Sequence, residues 1–301
     1  MPLTGLNANW EAWTTDFRRE LADAWANLVK DDSKWRAFTE IIPSTSDRND
    51  YGFLKDPPQV TEWKGSRKES SLAFDNHVVI NKDWQVSVPV PRNAVEDDKY
   101  DIIARRVRAL MPAFDRHMAK SVIEAYKNGA AAGSLGPDDV PFFGTHTLDN
   151  GDTVDNMTGA VTWVLIDTTR SKTETGGVFL QMRKEPVLDE FGPGSEWAKQ
   201  NKAYKFMGDG RYQVGYGMWQ CCYASNAALN KAGVDAAFEA LQGFKDINGD
   251  PLGMAPDVES CMLLIPTSLW ADARALTTYD TTTGYAVPYK GLRVYSSGYM
   301  N

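Results

Sequence analysis

Three residue types in the second half of the chain could form a nucleophilic site. Cys221 could supply a thiolate, His146 a general base, and Asp167 a carboxylate that orients the imidazole. A thiolate nucleophile needs such a base and such an orienting acid, so the set is typical of a cysteine-dependent hydrolase. No local motif ties the three residues together, however, and Cys221 and Cys222 beside Trp219 are also typical of small packing residues. The sequence favours packing and leaves the hydrolase as an alternative.

Two acidic loops could hold a cation. Residues 246–250 (Asp-Ile-Asn-Gly-Asp) place oxygen ligands at alternate positions, as a calcium-binding loop does. Pro251 stands where that loop needs its sharp-turn glycine, and no glutamate closes the twelve-residue span. Residues 149–152 (Asp-Asn-Gly-Asp) have the composition of a tight turn. The sequence therefore predicts turns at both places and neither a metal site nor a cofactor site.

The composition predicts a folded protein with one large core or two smaller ones. The chain has 301 residues, of which 43% are hydrophobic and 24% charged. Its formal net charge is −8, and its basic residues are interspersed with acids. Because a nucleic-acid-binding protein needs a basic face that displaces counterions, direct DNA binding is not expected. No apolar run reaches the roughly 18–20 residues of a membrane span, and three cysteines, two of them adjacent, favour a reducing compartment.

The start of the chain predicts an amphipathic helix from residue 7 to residue 30. Its large apolar side chains recur at spacings of three and four, which places them on one helical face. They are Trp10, Trp13, Phe17, Leu21, Trp25 and Leu28. The polar connector 43–46 separates this helix from the next segment. The helix either packs on its own domain or lies as an arm on a neighbouring subunit.

Residues 56–97 predict a two-stranded ribbon, with two strand-like runs around a turn at 81–83. In the second run, apolar side chains alternate with others from Gln85 to Val90, which is the period of a half-buried strand. Pro89 and Pro91 restrict this strand to the edge of a sheet. Since an isolated hairpin is barely stable in water, the ribbon must lie on another surface.

The remaining sequence predicts an α+β layout. Residues 97–128 form one helical pattern, about 48 Å long at 1.5 Å per residue, which Gly129 ends. Pro112 should kink or split this helix near Ala109. Further strands are predicted at 161–167, 177–184, 211–220, 260–265 and 292–295, and helices at 232–244 and 268–276, the second with Ser268 as its cap. Residues 221–229 either continue a strand or form a helix.

Five segments of the second half occur in a distinctive order. They are 142–146 (FFGTH), 162–170 (TWVLIDTTR), 178–186 (VFLQMRKEP), 212–223 (YQVGYGMWQCCY), and 249–256 (GDPLGMAP) followed by 263–266 (LLIP). Together they resemble the major head subunit family of Mu-like tailed bacteriophages. The resemblance covers residues 140–301 well and the first 140 residues by layout.

The resemblance implies an α+β fold of the Hong Kong 97 type. Its parts would be an N-terminal arm (1–50), an extended β-hairpin loop (51–97), a peripheral domain with a long spine helix (98–215), and an axial domain with C-terminal strands (216–301). The implied function is that of a major capsid protein, which self-assembles into the hexamers and pentamers of an icosahedral head around double-stranded DNA. Scaffold, protease, portal and decoration proteins are the implied partners, and host cytoplasm the implied place of assembly. A portal or tail component and the hydrolase are the alternatives.

Eight residues are the predicted intersubunit contacts, because the amphipathic elements that carry them have no evident local partner. They are Trp10, Trp13, Phe17, Leu21, Trp63, Arg67, Lys68 and Trp84. Aromatic side chains bury much area and dominate contact energies, so exposed ones favour interfaces. Packing in the subunit's own core is the alternative for each of them.

Overall fold

The chain folds into two compact units, each built of three segments. Unit 1 comprises Met1–Ser33, Asn81–Ala119 and Met182–Gln213, and unit 2 comprises Lys34–Ile80, Lys120–Gln181 and Val214–Asn301. The computed structural model describes residues 22–31, 34–54, 74–96, 108–148, 150–173, 176–245, 256–278 and 287–301, with Thr15, Arg18, Arg19 and Leu252. Because the segments of the two units interleave, no single cut in the sequence separates them. The linear division at residues 50, 97 and 215 stays a prediction.

Thirteen strands and six helices of the described residues are numbered in chain order. The strands are β1 (Ile41–Pro43), β2 (Arg48–Leu54), β3 (Phe74–Ile80), β4 (Lys82–Pro91), β5 (Thr145–Thr147), β6 (Thr153–Asp155), β7 (Met157–Thr158), β8 (Trp163–Asp167), β9 (Val178–Phe191), β10 (Ala203–Tyr216), β11 (Cys222–Ser225), β12 (Cys261–Pro266) and β13 (Arg293–Ser297). The helices are α1 (Arg92–Glu96), α2 (Leu110–Lys127), α3 (Thr168–Thr173), α4 (Glu196–Asn201), α5 (Lys231–Gly243) and α6 (Trp270–Thr277). Residues 22–29 are also helical. Among the described residues, no helix is both long and apolar enough to span a membrane.

Unit 2 is organised around a five-stranded sheet with the order β13-β12-β8-β11-β7. Strand β8 pairs antiparallel with both β11 and β12, whereas β13 runs parallel to β12. Every residue of β8 and β12 is buried, as expected of central strands that are covered on both faces. The strands predicted at 161–167, 260–265 and 292–295 are therefore confirmed in type, with small shifts of their ends.

The buried face of α5 explains why the spacing of apolar residues predicted a helix at 232–244. Its buried residues, Val234, Ala237, Phe238 and Leu241, lie three or four positions apart and form one face. Asn230 caps its start, because the Asn230 side chain accepts a hydrogen bond of 2.9 Å from the Gly233 N–H. The predicted cap of the last helix is wrong: α6 begins at Trp270, after a 3-10 turn that contains Ser268, and no side chain caps it.

Unit 1 contains the pairing of β4 with β10. The antiparallel register places Gly208 opposite Val86. A Cβ at Gly208 would lie 2.7 Å from the Phe114 ring, so the glycine gives this ring its space. Strand β4 lies at the edge of the sheet β1-β9-β10-β4, which confirms the edge position predicted from Pro89 and Pro91.

Helix α2 begins where the proline predicted an interruption. Ala109 is in a turn, and Leu110 is the first residue of the helix, which puts Pro112 in the first turn. A missing N–H is harmless there, because the first N–H groups of a helix have no partner within it. The expected split near Ala109 is confirmed, and residues 97–107 lie outside the described part of the chain.

The predicted pairing of the two runs around residues 81–83 is wrong. Strand β3 pairs with β2 in an antiparallel ribbon, while β4 pairs with β10. Lys82 and Asp83 are strand residues, so the chain passes Asn81 without the tight reversal that a hairpin needs. The described ribbon therefore consists of Arg48–Leu54 and Phe74–Ile80, and β2 was not predicted as a strand.

Close packing in unit 2 leads to a first prediction, at Gly215. A Cβ there would lie 2.5 Å from Phe179 Cζ and 2.8 Å from Val79 Cγ2, both in buried side chains. We expect Gly215→Ala to destabilise unit 2 by about 1–3 kcal/mol, because overpacking forces neighbours from their positions. Urea unfolding measures the difference. Gly243→Ala is the control, since no atom lies within 4 Å of its added Cβ; equal stabilities of the two variants would contradict the packing.

Candidate intersubunit surfaces

The structure gives the three residues of the hypothetical nucleophilic site different partners. Cys221 Sγ lies 3.4 Å from the Met218 carbonyl oxygen, to which it donates. His146 Nδ1 lies 2.6 Å from an oxygen of Asp138. Asp167 accepts hydrogen bonds from the backbone N–H and the hydroxyl of Thr169, at 3.0 and 2.6 Å. Among the described residues, no hydrogen bond joins thiol to imidazole or imidazole to Asp167, so the geometry does not form a catalytic triad.

All three cysteines are free and buried. Cys221 Sγ and Cys222 Sγ are 3.5 Å apart. Burial raises the pKa of the Cys222 thiol well above its ordinary value, and it raises the pKa of Cys261 to about 12, with the Asp167 carboxylate adding to the effect. A thiol becomes a nucleophile only as the thiolate. Burial therefore favours neutral, unreactive packing groups at Cys222 and Cys261.

His146 serves the packing of unit 2. Its ring is almost fully buried and stacks on the indole of Trp219, with centroids 4.2 Å apart and planes 10° from parallel. Asp138 holds the imidazole through Nδ1. Asp138 was not predicted as a partner of His146, because this contact depends on how the loop before β5 folds.

The described part of the acidic loops is a turn. Gly151 has a φ of 88°, and the Asn150 side chain accepts a hydrogen bond of 2.9 Å from the Asp152 N–H. This confirms the turn predicted at 149–152, apart from residue 149. Residues 246–251 lie outside the described residues. Within the described residues, no cluster of His, Cys, Asp or Glu could hold a metal ion.

Seven of the eight predicted intersubunit residues lie outside the described part of the chain. They are Trp10, Trp13, Phe17, Leu21, Trp63, Arg67 and Lys68. Trp84 is described, and its Nε1 donates a hydrogen bond of 2.9 Å to the Tyr212 carbonyl. Its ring centroid lies 4.1 Å from that of His117 and 5.9 Å from that of Tyr212. Trp84 is half-buried with partners in its own unit, so the reason for predicting an intersubunit contact does not hold at this residue.

The helical segment 22–29 packs on unit 1 and borders an apolar groove. Trp25 is buried, whereas Val29 and Val187 are exposed. The groove has a volume of about 610 Å³. It is lined by Arg18, Ala22, Trp25, Ala26, Val29, Lys30, Met111, Glu185, Pro186, Val187 and Leu188. For the part of the predicted arm helix that is described, packing on its own unit is thus the observed arrangement.

The ribbon of β2 and β3 has two different faces. Val79 is buried, and Asn49, Tyr51 and His77 are half-buried on the same face, because residues opposite each other in an antiparallel pair point to one side. Within residues 48–51 and 77–80 the other face is exposed. In this part its apolar side chains are Val78 and Ile80, which are 47% and 62% exposed, and Arg48 and Asp50 lie with them. This outer face is the one that a neighbouring molecule could cover.

Among the described residues of unit 2, two aromatic side chains are exposed. Trp270, at the start of α6, and Tyr299, near the end of the chain, are 47% and 40% exposed. Hydrogen bonds between Thr267 and Asn301 link the segments that carry them. Neither residue was predicted as a contact, because an aromatic residue at the end of an element carries no sequence pattern that separates exposed from buried positions.

The sequence matches one protein family and two curated relatives. Residues 10–294 match a family model described as Mu-like prophage major head subunit gpT. The Mu-like prophage FluMu major head subunit of Haemophilus influenzae is 25% identical over 257 residues, 80% of each chain. The major capsid protein of Escherichia phage Mu is 23% identical over 265 residues, 83% of each chain.

Solved capsid structures share the fold. A chain of the procapsid of bacteriophage JBD30 superposes with a TM-score of 0.78 and 27% identity, covering 97% of this chain and 99% of that one. A chain of the bacteriophage JBD30 capsid gives a TM-score of 0.71 at 22% identity, covering 89% and 91%.

The buried thiols give a second prediction. At pH 8, fewer than about one in ten of the thiols should react with an aromatic disulfide probe within an hour in the native protein, because all three are shielded by burial and burial also raises the pKa of Cys222 and Cys261. All three should react in denaturant. Ala227→Cys, at an exposed position, is the control that must react in the native state. Stoichiometric labelling of Cys221 in the native protein would instead support the nucleophilic site.

Proposed function

The chain belongs to the family of Mu-like prophage major head subunits, and on that basis we propose how its copies build a phage head. The family match over residues 10–294 is the observation that carries the function. The protein is the major capsid protein of a tailed phage, and it has the α+β capsid fold of the Hong Kong 97 type that the JBD30 procapsid chain shares over 97% of this chain. Its proposed activity is self-assembly into the hexamers and pentamers of a closed icosahedral shell.

The ribbon and the N-terminal helix supply the proposed contacts between subunits. On the ribbon, the exposed face with Val78 and Ile80 would be covered by a neighbouring copy. The other proposed contact residues are Trp10, Trp13, Phe17, Leu21, Trp63, Arg67 and Lys68, together with the half-buried Trp84. Exposed apolar side chains lose water when a neighbour covers them, at roughly 25 cal/mol per Å².

Several modest contacts per subunit are enough for a stable shell. A standard protein interface buries about 1,600 Å² in total. A subunit that is bound through a ribbon and a helix at the same time dissociates from the shell only when both contacts are broken. Weak pairwise contacts therefore give strong overall binding. A lattice built in this way can still correct errors during growth, because each single contact opens easily.

The charge of the chain fits a container for DNA. The net charge is −8, with basic and acidic residues interspersed. A strongly basic inner wall would bind the packaged DNA, whereas a net negative subunit repels it. We therefore expect DNA to be enclosed without sequence-specific binding.

Other head proteins are proposed partners. A JBD30 capsid is decorated with minor capsid protein trimers, and the chain compared there superposes on this chain with a TM-score of 0.69. For this protein, a decoration protein, a portal, a scaffold and a protease are candidates, and the host cytoplasm is the proposed place of assembly. The protein itself is a component of the virion. No observation in the described residues favours a portal, a tail component or a hydrolase.

Serine replacements at Trp13 and Phe17 give a third prediction. Trp13→Ser combined with Phe17→Ser should abolish closed shells in electron micrographs of the expressed protein. The subunit should remain soluble and folded, with a melting temperature within a few degrees of the wild type, because the double change removes contacts to neighbours.

The matched control changes two exposed residues of the described helical segment 22–29, Asp23→Ser with Asn27→Ser, which should leave shell formation intact. Intact shells from the Trp13 and Phe17 double variant would exclude the proposed role of the helix. Rings or tubes from the wild type, in place of closed shells, would favour a portal or tail component.

A further inference from the structure

Gln181 forms a hydrogen bond with each strand of the ribbon. Its side chain is fully buried in β9. The Tyr51 hydroxyl in β2 donates a hydrogen bond of 2.7 Å to Gln181 Oε1. Gln181 Nε2 in turn donates a hydrogen bond of 3.2 Å to the backbone carbonyl of Val79 in β3. One amide therefore bonds one group from each strand.

Apolar packing surrounds this amide. Val79 and Phe179 form a buried cluster against which Ile42, Tyr51 and Met218 pack. The rings of Tyr51 and Phe179 meet edge to face, with centroids 4.9 Å apart. Because water is excluded here, the lost hydrogen bond of a buried group is not replaced by solvent.

Side chains of the segment before β2 also hold this strand in place. Asn49 lies two residues before Tyr51, and its side-chain oxygen accepts hydrogen bonds from the hydroxyls of Ser44 at 2.9 Å and Ser46 at 3.1 Å. Burial is the main cause that raises the pKa of Tyr51, so its hydroxyl stays protonated and able to donate at neutral pH. These hydrogen bonds form a polar network within an apolar cluster, which we call the root of the ribbon. Its residues are Ser44, Ser46, Asn49, Tyr51, Val79 and Gln181.

We propose that Gln181 is the positioning residue of the ribbon: its amide fixes the orientation of β2 and β3 against β9 and so presents the outer face to the neighbouring copy. This inference rests on the proposed function, in which the outer face of the ribbon is a contact between subunits. The apolar cluster alone would hold the root by non-directional packing. The two hydrogen bonds add a fixed geometry, since each bond requires a defined distance and angle.

The amide also stabilises the pairing of β2 with β3. A two-stranded ribbon that is released from its supporting surface is marginally stable in water. Loosening the root should therefore weaken the hydrogen bonds between the strands, and faster amide exchange would report it.

The test replaces Gln181 by methionine, which has a similar length and no polar group. In unassembled full-length subunits, Gln181→Met should speed amide hydrogen exchange at residues 48–51 and 77–80 roughly tenfold, because the Val79 carbonyl loses its side-chain donor. Exchange in β8 and β12 should not change, and shell yield at equal protein concentration should fall at least fivefold. A merely structural role would slow or speed exchange throughout unit 2.

Two further variants sharpen the result. Tyr51→Phe removes only the bond from β2, so it should speed exchange roughly threefold. Combined with Gln181→Met it should add nothing, since both changes remove the same bond. Gln220→Met is the matched control: Gln220 is a buried amide of the same unit, and its replacement should leave exchange in the ribbon unchanged.

Two outcomes would overturn the inference. One is unchanged exchange in the ribbon of Gln181→Met, which would mean that apolar packing alone holds the root. The other is faster exchange with wild-type shell yield, which would mean that the orientation of the ribbon does not matter for assembly. If the wild-type chain formed no shells, the proposed function would fail, and the exchange experiment would still decide whether Gln181 fixes the root.

Discussion

The ribbon depends on one packing constraint. The Phe179 ring lies against β10 at Gly215, where the strand has no side chain. A Cβ on Gly215 would lie 2.5 Å from the Phe179 ring, so any larger residue displaces it. The ring in this place forms the surface that buries Val79 and meets Tyr51 edge to face. Only when these side chains are in position can Gln181 reach one group on each strand of the ribbon. A glycine in β10 thus affects the geometry of a ribbon that lies far away in the sequence.

The proposed role of the ribbon implies a balance between folding and assembly in the distribution of its apolar side chains. Buried residues such as Val79 stabilise the single subunit, while Val78 and Ile80, its neighbours along the chain, remain exposed. Exposing them is unfavourable for an isolated subunit, by an amount that scales with the apolar area. The same area becomes favourable when a second copy covers it. The net negative charge opposes unspecific association, so that only a geometrically matched contact brings such small apolar patches together.

The sequence predicted the elements whose signal is local and missed those that depend on distant partners. The central strands β8 and β12 were identified from continuous apolar runs, α5 from its period, and the edge position of β4 from Pro89 and Pro91. The partner of β3 was missed because β2 (Arg-Asn-Asp-Tyr-Gly-Phe-Leu) has no alternating apolar pattern and lies well upstream. At the ribbon, the family resemblance predicted an extended loop. No sequence pattern identifies Gln181, because its proposed role depends on tertiary contacts alone.

The titratable side chains that could have formed a catalytic site instead bond to neighbouring groups within the subunit. His146 is stacked on Trp219 and bonded to Asp138, and Asp167 accepts two hydrogen bonds from Thr169 at the start of α3. Each of these groups directs a polar atom to a neighbour that fixes a loop or a helix end. A catalytic group must instead direct it towards a substrate in an open site. A shell subunit gains from the first arrangement, because assembly requires that every copy present its surfaces in the same geometry.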